Sequence, residues 1–165
     1  MQTPNDESAI TQEEASAIIE IIRTFPARFR ALVENLDAET LTTAYKAGEW
    51  TIAQNVHHVF DSHNNSFTRM KYVLTEDTPT LVPYDQDVWA ALPDSTTAEL
   101  EPSLVAIEGI HARWAALLEA QPLESWSRTA HHPEIGTVTL GQLLRYYGNH
   151  GEAHITQINE VLAAR

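Results

Sequence analysis

The sequence predicts an all-α fold, a four-helix bundle with long connecting loops, and three observations predict it. Four stretches carry apolar residues at alternating spacings of three and four, the period of a helix with one buried face. Each stretch is apolar on one side only, so the four bury their stripes only against one another. The chain has 165 residues, which at roughly 150 residues per domain is one unit with a single core.

Residues 1–10 read as a frayed acidic leader and residues 11–165 as a single domain. The first helix spans about 11 to 36, where Ile18, Ile22, Phe25, Phe29, Leu32 and Leu36 recur at spacings of 4, 3, 4, 3 and 4. Pro26 inside this stripe removes one amide donor and crowds the preceding turn, so a kink, or two helical pieces meeting near Phe25, is expected. After a loop containing Gly48, Thr51 and Gln54 form a capping-box pattern that starts the second helix. Its stripe is Ile52, Val56, Val59, Phe60, Phe67, Met70 and Leu74, and it dissolves at Thr75-Glu76-Asp77-Thr78-Pro79.

The stretch from there to about 95 carries Pro79, Pro83 and Pro93, with Tyr84 and Trp89 among acidic residues. A connection of that length inside a compact domain is often functional, and it is expected to wall a pocket. Leu104, Ile107, Ile110, His111, Trp114, Leu117 and Leu118 mark the third helix, which Pro122 ends or closely follows. Within 123–138, Ile135-Gly136-Thr137-Val138 suits a short hairpin. The fourth helix carries Leu140, Leu143, Leu144, Tyr147, Ile155, Ile158 and Leu162 on one side.

Composition narrows the function. Ten Lys plus Arg against 23 Asp plus Glu give a formal charge of -13, a field that repels phosphate backbones and anionic membranes. Neither nucleic acid nor membrane is therefore an expected partner, and with no signal-like leader a cytoplasmic location is expected. There is no cysteine, so no disulfide, thiolate ligand or cysteine nucleophile. Eight histidines, at 57, 58, 63, 111, 131, 132, 150 and 154, are the feature to explain.

His150 and His154 lie four apart on the fourth helix, on one face and within about 80° of the centre of its apolar stripe. The residues alone leave two readings open, a shared metal ion or two core-edge histidines hydrogen-bonded to neighbours. A zincin helix does not fit, because Glu152 stands one position too late to serve as general base. A di-iron bundle needs Glu-x-x-His on two helices, and only Glu108 to His111 matches. His111, between Ile107 and Trp114, reads as a buried hydrogen-bonded histidine or one standing behind metal ligands. On the second helix, periodicity places His63 on the apolar stripe, and His58 on another face with Asn55, Ser62, Asn65 and Arg69. His131 and His132, beside Pro133, read as exposed turn residues.

Together, Gly48 through His63, Pro83 through Trp89, His111-Ala112-Arg113-Trp114, His132 through Gly136 and His150 through His154 resemble the YfiT branch of the DinB superfamily, in order from about 12 to 160. The resemblance implies a DinB-like four-helix bundle and a divalent metal, zinc or nickel, held by one histidine of the second helix and two of the fourth. On the matching positions these are His58, the latter of the His-His pair, with His150 and His154. It also implies a homodimer. The chain departs from the pattern where Gly-Gly-Trp with a following Arg is common, having Glu49 and Ala53, and where Asn55 replaces a valine. The metal ligands are intact, and the small polar Asn55 and Ser62 would line a wet pocket around the ion.

Three neutral imidazoles leave an open position on zinc, the arrangement of a catalytic site. Two enzymatic outcomes follow. One is metal-assisted hydrolysis. The other is transfer of a low-molecular-weight thiol, the activity of bacillithiol and mycothiol transferases in this superfamily, for which a cysteine-free chain is suited. Asp61, Asp85 and Asp87 are the candidates for a base or for a carboxylate supporting the ligands. The competing expectation is a non-catalytic helical module whose histidines only tie the core together.

Overall fold

The computed structural model describes residues 9–165. Four long helices dominate: α1 (Gln12–Val33), α3 (Ile52–Thr75), α5 (Glu101–Glu119) and α6 (Leu140–Ala163). Two short helices, α2 (Ala38–Thr42) and α4 (Gln86–Ala90), lie in the connections. A 3-10 turn (Leu123–Ser127) precedes a hairpin of β1 (Thr129–His132) and β2 (Gly136–Thr139). Its register pairs Thr129 with Thr139 and His132 with Gly136, and Gly136 takes a φ of +80° at the turn, where a side chain would be strained.

Helix starts are written locally. Thr51 accepts from the Gln54 amide while the Gln54 side chain returns to the Thr51 amide, and Thr139 and Gln142 repeat the device at the head of α6. The Asp85 side chain accepts from the Asp87 and Val88 amides and starts α4. Pro102 lies in the first turn of α5, where its missing amide costs nothing.

α1 and α3 each pack on both α5 and α6, so consecutive long helices α1 and α3 sit diagonally, as do α5 and α6. Two of the three connections therefore cross the bundle end, while the third and longest, residues 76–100, joins the adjacent α3 and α5. The apolar core has two centres. One gathers Ile22, Phe67, Met70, Trp114 and Leu144, the other Phe29, Val56, Ile107 and Ile158. Between them each helix reaches its middle, and there α3, α5 and α6 place His63, His111 and His150.

Some expectations change. α1 runs unbroken through Pro26 rather than as two pieces, and it ends at Val33, three residues before the expected 36. Ile10, assigned by sequence to the leader, is buried against Gly141 in the first core centre. Residues 1–8 of the leader lie outside the described residues. The connection after α3 is partly ordered by α4 and by a bridge from Thr80 to His131. Among the described residues no helix is long and apolar enough to cross a membrane.

Candidate metal centre

α3 brings His58, and α6 brings His150 and His154, to one point at mid-bundle. Each offers a ring nitrogen, and these atoms lie within 4.8 Å of one another. Nitrogens sharing a tetrahedral ion at about 2.0–2.1 Å are about 3.3 Å apart, so the rings draw closer together when they share one. α6 comes close enough because residue 151 is glycine. A Cβ there would stand 2.6 Å from Cε2 of Phe25, a buried ring stacked on Phe29 and His111.

The donor set is neutral. Burial, with repulsion from His154 second, lowers the His58 pKa to about 3. Burial lowers His154 to about 4 and drives His150 well down, with repulsion from His154 and His58 adding to it. Neutral imidazole is the form that ligates a metal.

The outer nitrogens are engaged in a way that fixes which inner nitrogen is free. Asn55 donates through Nδ2 to the Thr51 carbonyl at 2.9 Å, so its Oδ1 faces His154 Nδ1 at 2.9 Å. His154 therefore carries its proton on Nδ1 and presents the Nε2 lone pair. His150 is held by a longer series: its Nδ1 is 3.1 Å from His63 Nε2, His63 Nδ1 is 2.8 Å from His111 Nε2, and His111 Nδ1 is 2.6 Å from the Ile22 carbonyl. A carbonyl only accepts, so His111 Nδ1 must donate, and in a neutral ring Nε2 must then accept. The same logic passes through His63 and leaves His150 with Nδ1–H and a free Nε2 lone pair. The series begins at Pro26, which has no N–H to offer the carbonyl four residues earlier and so leaves Ile22 free to accept.

Two cavities border this cluster. One, of about 470 Å³, is lined by Trp50, His58, Gln86, Asp87, Tyr146, His150 and His154 among others. The second, of about 340 Å³, shares Gln86, Tyr146 and His150 with it and extends to Arg69, Tyr84, His132 and Glu134. Pro83, Tyr84, Asp85 and Gln86 form one wall of the second, so the long connection does line a pocket.

The three candidate acids part company. Asp87 lines the cavity shared with all three imidazoles. Asp85 lines the neighbouring cavity, with Oδ1 occupied by the amides of α4. Asp61 faces a different cavity with His57, Asp94 and Ser103, where burial and then Asp94 raise its pKa to about 6. His57 joins elements, bonding Ser103 Oγ at 2.8 Å and the Thr97 carbonyl at 3.1 Å. His63 and His111 are buried as the periodicity predicts, and of the face expected to be polar, Asn55, His58, Ser62 and Arg69 are buried too while Asn65 is half-buried. His132 is not an exposed turn residue. β1 turns it inward, where it is 2% exposed and its Nδ1 accepts from the Glu134 amide; its neighbour His131 faces out, as alternation along a strand dictates.

The family model described as the DinB superfamily matches residues 21–158. Over 156 residues the chain is 41% identical to a protein of Bacillus cereus (strain 03BB102) named "Putative metal-dependent hydrolase", covering 93% of this chain and 90% of the relative. A relative of the same description from Bacillus anthracis is 40% identical over the same shares. Among solved structures, YfiT from Bacillus subtilis, described as "a probable metal-dependent hydrolase with an unusual four-helix bundle topology", superposes with a TM-score of 0.90 at 38% identity. That match covers 94% of this chain and 89% of YfiT.

Proposed function

The chain belongs to the DinB superfamily, and from that membership we propose that it is a metal-dependent hydrolase of small molecules in which His58, His150 and His154 hold one divalent ion, zinc or nickel. The observation that carries this is the convergence of three neutral imidazoles from two helices, two of them with their outer nitrogens hydrogen-bonded. That is how metal-binding histidines are oriented. When bound, such an ion supplies Lewis acidity and lowers the pKa of water toward about 7.

The remaining work falls to the chain's own groups. Asp87, which lines the cavity the imidazoles share, takes up a proton in this reading. Burial first, and the neighbouring Tyr147 second, raise the Tyr146 hydroxyl to a pKa of about 12, so it serves as a hydrogen-bond donor to substrate. Trp50, its ring 4.6 Å from that of His58, shields one side of the site from water.

Transfer of an external thiol is the second reading, and the absence of cysteine from all 165 residues favours it over any mechanism with an internal thiol. Metal analysis of protein purified without a His tag tests the common premise. About one zinc or nickel per chain is expected, lost in His150→Ala; no stoichiometric metal and no change in the variant would refute it. Ester and amide hydrolysis abolished by chelation and restored by metal supports the first reading. Conjugation of monochlorobimane to bacillithiol, mycothiol, glutathione or coenzyme A supports the second. Light scattering tests the homodimer.

A further inference from the structure

The polar face of α3 does not end at the triad. Eleven residues beyond His58, on the same face, stands Arg69, only 7% exposed. Its guanidinium donates to the Val82 carbonyl and, at 3.5 Å, to the Tyr147 hydroxyl, while Nε has no partner. No carboxylate of the described residues lies within ion-pair distance of it, although the other buried or half-buried arginines, Arg30 and Arg145, are each paired with glutamates. A buried cation without a counter-ion is costly, and proteins pair such charges. Arg69 lines the cavity of about 340 Å³ that reaches His150.

We infer that Arg69 binds a carboxylate of the substrate, so that the enzyme acts on small organic acids whose scissile bond lies toward the histidine cluster and whose anionic end lies toward Arg69. The identity of the bound molecule as substrate rests on the hydrolase reading; the presence of the anion site does not. Polar side chains surround the guanidinium on the cavity side. His132 accepts from the Glu134 amide through Nδ1, which leaves Nε2 as the donor of its neutral ring, and His132, Tyr84, Tyr146 and Tyr147 also line the space. The guanidinium carbon stands 5.9 Å from the centre of the Tyr84 ring, which holds it in place. Glu134 and Asp85 border the same cavity, and with one guanidinium against two acids a phosphate dianion is disfavoured relative to a carboxylate.

The test uses the protein as purified and again after EDTA treatment, titrated with benzoate, benzamide and inorganic phosphate while the Arg69 Nε–H resonance is followed by NMR. Benzoate should shift that resonance saturably in both forms, and benzamide should not. Arg69→Met should weaken benzoate binding at least tenfold, with Arg69→Lys retaining part of it. Loss of the benzoate response on EDTA treatment would mean that carboxylate sits on the metal, and would overturn the assignment. So would equal binding of benzamide, tighter binding of phosphate, or a folded Arg69→Met that binds benzoate within twofold of wild type. Should Arg69→Met fail to fold, the wild-type resonance decides alone: a benzoate titration that leaves it unmoved overturns the site. A protein that proves to bind no metal would refute the hydrolase reading and leave these readouts intact.

Discussion

Replacing His63 by Phe asks whether the buried histidine series orients His150 or only fills the core. Phe keeps an aromatic ring among Phe25, Trp114 and Tyr147, whose centroids lie 5.4, 5.8 and 6.2 Å from that of His63. It removes both hydrogen bonds, the 3.1 Å contact to His150 and the 2.8 Å contact to His111. Each group left unpaired in the interior costs about 1–3 kcal/mol, and the apolar ring returns part of this, for a net loss of roughly 2–4 kcal/mol. His150 then keeps no preference for Nδ1–H, and removal of such a support typically weakens metal binding by about 10–100-fold, which is about 1.4–2.8 kcal/mol. Zinc affinity, measured by competition with a chromophoric chelator well below the melting temperature, should fall by that factor. His63→Gln, which keeps an acceptor and a donor, should recover most of it. Long-range 1H–15N spectra of metal-free wild type should show His63, His111 and His150 all as Nδ1–H tautomers. A folded His63→Phe binding zinc within threefold of wild type, or His63 found with its proton on Nε2, would rule out an orienting role for the histidine series.

Three further outcomes are expected. Asn55→Ala removes the acceptor 2.9 Å from His154 Nδ1 and should weaken zinc binding about tenfold without abolishing it; unchanged affinity in the same competition assay would count against the role given to Asn55. Gly151→Ala drives a Cβ to 2.6 Å from the Phe25 ring. Overpacking of about 1–3 kcal/mol, less about 1 kcal/mol of helix propensity, should lower the melting temperature by a few degrees, and a rise would contradict the close approach. For the metal-free protein, stability should be flat above about pH 6.5, the ordinary histidine value, and fall as the pH drops toward 4. The reason is that burial holds His58 at about 3 and His111 and His154 at about 4, so the unfolded chain binds more protons across that window. Asp61, raised to about 6, acts oppositely, since its protonation below pH 6 favours the folded state, but one carboxyl faces several histidines. Melting curves from pH 8 to 4.5 that show no acid loss would contradict the buried neutral cluster.

Much of this was legible before any coordinates. The four stripes gave four helices, the Thr51 and Gln54 pair marked the start of α3, and the four-residue spacing of His150 and His154 put two rings on one face. The periodicity also separated a polar face of α3, Asn55, His58, Ser62, Asn65 and Arg69, from the apolar one. It treated only the apolar face as inward, and that is where it fell short: α3 packs on both α5 and α6, so both of its faces are covered. Asn55, noted in the sequence as a departure from the family pattern, turns out to hold His154.

Helix period and capping depend on residues within a turn of one another, so the sequence alone carried these local features. It also determined that no thiol of the chain competes for a metal. Packing across the bundle set how histidines 48 and 87 positions apart in pairs meet in one series, why a proline within α1 leaves a carbonyl for His111, why His132 faces inward, and which buried arginine lacks an acid. Each of these depends on which partner stands across the bundle, and packing between distant segments leaves no periodic trace in either segment alone.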